Sequence, residues 1–287
     1  MTNPMNVDEL LSHYAAGKRD FREIDFTGID LRGVNLSEAN LRRANLSQAN
    51  LRGADLRLAN LREVVLVNAD LSEADLTQAN LIGAEMHQVN LMDANLTEVG
   101  LRGAKLTDAN LSRAILAGAN LAEAMLDRAI LVDANLSEAV LTRSRLVAAN
   151  LTRAILENAN LTNASLNEAV LENANLTAAI LHGASLEEAN LRAADMSRAR
   201  IMSANLTNAD LSQANLRGAN LSWTSLRGAN LHKANLYRAK LNWANLSEAD
   251  LSEAVLINAK IAQVNFQNAN LSRAIMPDGS AWESQKA

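Results

Sequence analysis

From Phe21 to Met276 every fifth residue is large and apolar, without a skipped step. All are leucine except Phe21, Phe26, Met86, Met196, Ile201, Ile261, Phe266 and Met276. The residue two before each of these centres is nearly always Ala, as at Ala39, Ala44 and Ala49, with Val64, Ser144 and Thr224 among the replacements. Asn or Asp usually stands between the two, so the chain reads A-(N/D)-L-x-x over most of its 287 residues. A fixed short period of this kind dictates a repeat architecture.

A period of five fits neither regular element. On an α-helix, residues five apart are rotated by about 140°, and the leucines would spiral over every side. On a flat strand, residues an odd number apart point to opposite faces. The pattern works if the backbone turns a corner once per pentad, so that each centre and its Ala point inward. Four corners close a square coil of twenty residues, and coils stack through strand-type hydrogen bonds about 4.8 Å apart. So narrow a square has no room for a second large side chain per pentad, which is why Ala recurs. The expected fold class is an all-β solenoid of about 13 coils, roughly 60 Å long.

The unbroken A-(N/D)-L-x-x run resembles the pentapeptide repeat proteins, and that resemblance implies a right-handed quadrilateral β-helix. The stretches MNVDELLSHYAAGKRDF and AIMPDGS are similar to a cyanobacterial branch of the family linked to control of heterocyst differentiation. This implies a regulatory role carried out by contact with a protein partner.

Three segments are expected: a capping helix and link over 1–20, the β-helix over 21–276, and a turn and tail over 277–287. Asn6 and Glu9 can form a capping box, Val7, Leu10, Leu11 and Tyr14 fall at helical spacing, and Gly17 can end the helix. This short α-helix should lie across the first coil, where Ile24, Ile29 and Val34 replace Ala. At the other end Pro277 and the Asp278-Gly279 pair stop the lattice, and Trp282 is placed to cover the last centres. Covers matter because an open coil end is a sheet edge.

Composition narrows the function. Hydrophobic residues make up 48% and aromatic ones 3%, as a core of Leu and Ala requires. The absence of cysteine excludes a disulfide framework, a thiol nucleophile and thiolate metal ligation. The longest apolar runs are too short to span a membrane, and the N-terminus lacks a secretory pattern, so a cytoplasmic protein is expected. His13, His87, His182 and His232 fall on the cap helix or in different columns of the lattice, beyond reach of one another for acid-base or metal chemistry. Hydroxyls such as Ser47, Thr77 and Thr97 face water beside no base. No enzyme, cofactor or metal site is expected, and no small-molecule substrate.

Function is then expected on the outer surface. Ile115, Met125, Ile130, Val140, Ile155, Val170 and Ile180 replace Asn or Asp, an apolar band from Ile115 to Ile180 that offers a contact for a second copy. The net charge is −5, but it is banded: no Lys or Arg lies between Arg62 and Arg102, whereas Arg192 to Lys240 is rich in both. Trp223 and Trp243 are one turn apart and should stack on one face. Arg198, Arg200, Arg217, Tyr237, Arg238, Lys240 and Lys260 fall on that face and its adjoining corner. Exposed tryptophans ringed by arginines have the composition of interaction hot spots, and a protein partner is expected rather than nucleic acid or membrane. The alternative is a DNA mimic that inhibits a type II topoisomerase (gyrase), as the family resemblance also allows; the mild net charge and the basic band depart from such a surface.

Overall fold

In a computed structural model, which describes residues 5–282, the chain divides into two compact units, one ending at Arg145 and the other beginning at Leu146. Residues 1–4 of the expected cap and 283–287 of the expected tail lie outside the described residues. The first unit opens with α1 (Val7–Ala15). Asn6 caps it through the predicted box: its Oδ1 accepts from the Glu9 N–H at 2.9 Å, and the Glu9 carboxylate accepts from the Asn6 N–H at 3.4 Å. Gly17, at φ +89°, supplies the left-handed residue that ends the helix. Leu10 is fully buried, and the Tyr14 hydroxyl donates to the Ser37 carbonyl at 2.9 Å, so the helix is docked against the opening coils.

Beyond α1 one local structure repeats, and the pentad Ala44 to Gln48 is representative. The Ala49 N–H donates to the Leu46 carbonyl at 3.1 Å, closing a β-turn over Ser47 and Gln48. Gln48 has φ +59° whereas Ser47 does not have a positive φ, which makes the corner a type II turn. A side chain in that left-handed conformation costs about 1–2 kcal/mol, and the pentads carry it at nearly every corner because hydrogen bonds fix the chain on both sides. Leu46 and Gln48 donate to the carbonyls of Val65 and Val67 in the next coil at 2.7 and 2.9 Å, and Asn45 donates back to Ile24 at 2.9 Å. The remaining Ser47 N–H donates to Oδ1 of Asn45 at 3.1 Å. Every backbone N–H of the pentad is therefore satisfied, the last by the Asn side chain. This is the main reason for Asn or Asp before each centre. Stacking between coils, as from Asn60 Nδ2 to Asn40 Oδ1 at 3.1 Å, comes second.

Within each unit the Asn/Asp positions bridge residues twenty apart in parallel, as Asn40 with Asn60 and Asn220 with Lys240. Four such ladders, a quarter turn apart in sequence, make each unit a quadrilateral β-helix. Leucine centres and their alanines fill the interior with almost no exposure. Where a hydroxyl takes the Ala place it is paired: Ser144 donates to the Leu141 carbonyl at 2.7 Å and Thr224 to that of Ile201 at 2.8 Å. At the corner Gly228 a Cβ would strike the Asn208 side-chain oxygen, whereas at Gly53 it would meet nothing within 4 Å.

Two expectations need correction. Trp282 borders a depression of about 480 Å³ with Ile261 and Met276 but stays 42% exposed, and Ile261, Phe266 and Met276 are only partly buried. The turn from Met276 to Ser280 brings Ala281 antiparallel to Ile275, so the chain returns along one edge instead of crossing the coil. The apolar substitutions also form no single band within either unit. Ile115, Met125, Ile130 and Val140 stand in four different ladders, with Asn95 and Asn135 on either side of Ile115 and Lys105 and Arg145 on either side of Met125. Ile155, Val170 and Ile180 stand in three. Steps of five, ten or fifteen residues carry each one to a different side of the coil, so no two of them share a ladder within a unit. Among the described residues no helix is long and apolar enough to cross a membrane.

Candidate functional site

The second unit carries the aromatic pair. Trp223 and Trp243 occupy corner positions at φ 63° and 64°, and their N–H groups donate to Asn242 and Ala262 of the following coils at 3.0 and 2.9 Å. This register places one indole over the other with centroids 5.0 Å apart and planes within 4°, close to the spacing of the coils themselves. They remain 58% and 51% exposed.

The opposite corner of the same face carries Tyr237. The Arg217 and Arg238 guanidinium groups each lie 5.0 Å from its ring centroid, Arg217 from the coil before and Arg238 from the next position in the chain. Arg198 sits at that corner one coil below Gly218, its N–H donating to the Arg217 carbonyl at 2.9 Å. Between the two corners runs the ladder Arg200, Asn220, Lys240, Lys260. All the expected site residues therefore share one face or its corners, and the cations among them are exposed.

Those ladder cations come at a structural cost. Asn220 Oδ1 accepts from the Ser222 N–H at 3.2 Å, the usual corner bond, but Arg200, Lys240 and Lys260 have no acceptor to offer at that place. Above Lys260 the bond is replaced from another coil, the Ala262 N–H donating to Asn242 Oδ1 at 3.1 Å. Asn242 was not among the residues expected from the sequence, although the twenty-residue column places it directly below Ala262. Lys240 and Lys260 are also bridge partners, like charges on adjacent strands. The segments 197–203, 217–223, 237–243 and 257–263, which make up this face, contain no Asp or Glu.

The second unit's two histidines each meet the next coil. His182 Nδ1 lies 3.0 Å from the Met202 carbonyl and His232 Nδ1 lies 2.9 Å from Ser252 Oγ, contacts that tie each to the coil above it. Among the described residues no three His, Asp or Glu side chains are grouped to hold a metal ion.

A search of curated protein sequences returned no match. Among solved structures, the chain is 35% identical to HetL, a pentapeptide repeat protein involved in heterocyst differentiation regulation from the cyanobacterium Nostoc sp. strain PCC 7120, over 97% of this chain and 100% of that one, with a TM-score of 0.35. A second pentapeptide repeat protein from Nostoc PCC 7120 is 38% identical over 38% of this chain and 84% of its own, with a TM-score of 0.21. QnrB1, a plasmid-mediated fluoroquinolone resistance protein, is 16% identical over 71% of this chain and 90% of its own, with a TM-score of 0.32. The family described as pentapeptide repeats matches in successive segments from 20–57 to 239–276. The chain belongs to the pentapeptide repeat family, and its fold is the right-handed quadrilateral β-helix of that family.

Proposed function

We propose that this chain is a non-catalytic, cytoplasmic protein-binding β-helix with a regulatory role of the kind that HetL has in heterocyst differentiation. The observation that carries the reading is the face of the second unit, where a stacked and exposed indole pair stands beside cations that have no carboxylate partner among the described residues. Tryptophan and arginine are the residues in which binding energy concentrates at protein interfaces. The identity to HetL over nearly the whole of both chains supports the regulatory part.

The test is capture of partners from a Nostoc lysate by the wild type and by the double variant Trp223→Ala plus Trp243→Ala. A partner held by the first and lost by the second is expected; the same partners on both would remove the proposed site. Gyrase supercoiling assayed with the purified protein addresses DNA mimicry. No effect is expected, because a face free of carboxylates is the opposite of a duplex surface; inhibition would replace this reading.

A further inference from the structure

From the charge and geometry of this face we infer that its partner presents an acidic polypeptide segment, with carboxylates on the ladder cations and an apolar side chain against the indole pair. The inference rests on the reading of the chain as a protein-binding β-helix and goes on to name the chemistry of what is bound.

The first step concerns charge. Among the described residues Arg198, Arg200, Arg217, Arg238, Lys240 and Lys260 make no ion pair, whereas Arg227, Lys233 and Arg273 of the same unit are held by Glu248 or Glu253. The fold can thus pair a cation with a carboxylate a coil away, and does so elsewhere in this unit. Within the segments 197–203, 217–223, 237–243 and 257–263 of the Trp face it supplies no carboxylate. A surface of one sign, held against its own repulsion and at the loss of corner hydrogen bonds, is complementary to an anion from outside.

The second step concerns which anion. A single-stranded nucleic acid binds along a cationic groove by stacking successive bases on separate aromatic platforms. Here the two indoles are stacked on each other at 5.0 Å, which leaves no slot for a base between them. The third aromatic, Tyr237, has two guanidinium groups of its own protein at 5.0 Å. What the pair does offer is its exposed edge, a flat apolar strip suited to a Leu, Met or Phe side chain. Cations beside an apolar strip match a segment that mixes Asp or Glu with a few large apolar residues.

The experiment titrates the full chain with a fluorescently labelled sixteen-residue peptide of Glu and Asp carrying two leucines. A peptide of the same length with Gln and Asn for the acids and an oligothymidylate are run beside it. We expect anisotropy to report binding of the acidic peptide that falls at least tenfold in Arg200→Glu plus Lys240→Glu. It should fall severalfold in the double Trp variant, weaken with added salt, and hold in Arg113→Glu plus Arg128→Glu. Tighter binding of the oligothymidylate, lost in the same charge reversal, would overturn the inference in favour of nucleic acid. Self-association abolished by that reversal would overturn it in favour of a second copy. Equal peptide affinity in all variants, or none in the wild type, would also overturn it. Should the peptide fail while a lysate partner still depends on the indole pair, this inference falls and the proposed function stands; loss of that dependence removes both.

Discussion

The two units are packed inside in the same manner, each with leucine centres and alanines, and differ at one face in how surface charge is met. In the unit ending at Arg145, the cations from Arg22 onward are met by carboxylates. Arg113 reaches Asp93 at 2.6 Å and Arg128 reaches Asp108 at 2.8 Å, each one coil back, while Arg52 meets Glu73 at 2.6 Å and Arg143 meets Glu123 at 2.8 Å. The contrast is sharpest at ladder positions, where a cation displaces the Asn or Asp that caps the corner. In the first unit Lys105 pairs with Glu85 at 2.7 Å and Arg145 with Asp127 at 3.0 Å. In the second, Arg200, Lys240 and Lys260 stand in the same kind of position with no ion pair among the described residues. The lattice dictates the interior and leaves the outer side chains open. The first unit uses them to tie successive coils together; the second leaves one face unneutralised.

If the difference lies only outside, the interiors should respond alike. Leu61 and Leu221 are both fully buried centres, one in each unit. Leu61→Ala and Leu221→Ala should each destabilise by about 2–5 kcal/mol, the transfer loss plus the cavity left in a core too rigid to close. Urea midpoints with unchanged slopes would measure this. A markedly smaller loss at Leu221 would break the comparison, since it would mean that the second unit is loosely packed and that its surface cannot be compared position by position with the first.

The ladder cations give the sharper and smaller test. Lys240→Asn should restore an acceptor for the Asn242 N–H and remove the repulsion with Lys260, stabilising by about 0.5–1.5 kcal/mol. Lys105→Asn gains the same acceptor but loses the exposed pair with Glu85, worth roughly 0–1 kcal/mol, and should be close to neutral. Stability gained where binding is lost would mark Lys240 as kept for contact with a partner. Destabilisation by Lys240→Asn in thermal melts would show that the lysine serves the fold.

The same division runs through what the sequence disclosed. The coil, the inward leucines, the Ala beside them and the indole stack all follow from a period of five closing every twenty residues, and all are in the structure. So is the Asn6 to Glu9 box, because capping is local. The corner conformation was not legible: Gln48 and Leu58 give no sign of a left-handed φ, and only the glycines at Gly53 or Gly228 hint at it. Nor was the Asn role legible: its first duty is to its own pentad two residues on, as from Asn45 to Ser47, a bond that depends on turn type. Trp282 and the run from Ile115 to Ile180 were misplaced for a related reason. Composition says which side chains are apolar, but the ladder in which each one lands decides whether they meet.

The smallest expected effect is one of pH, and it belongs to the first unit. Hydrogen bonds from Arg43 and then Arg62 hold the Glu63 carboxyl down to about 2, well below its unfolded value near 4.3. A folded value below the unfolded one means that the contribution is complete above the unfolded value and is lost as pH falls toward 2. Wild type should therefore melt slightly above Glu63→Gln at pH 6, and the two should converge between about pH 4 and pH 2. The gap should be small, because these side chains are exposed and screened by water, and it should narrow with salt as well. A pH-independent gap at Glu63 would mean that its bonds to Arg43 and Arg62 do not persist in solution, and the contrast between a self-paired unit and an unpaired face would lose its best-defined point.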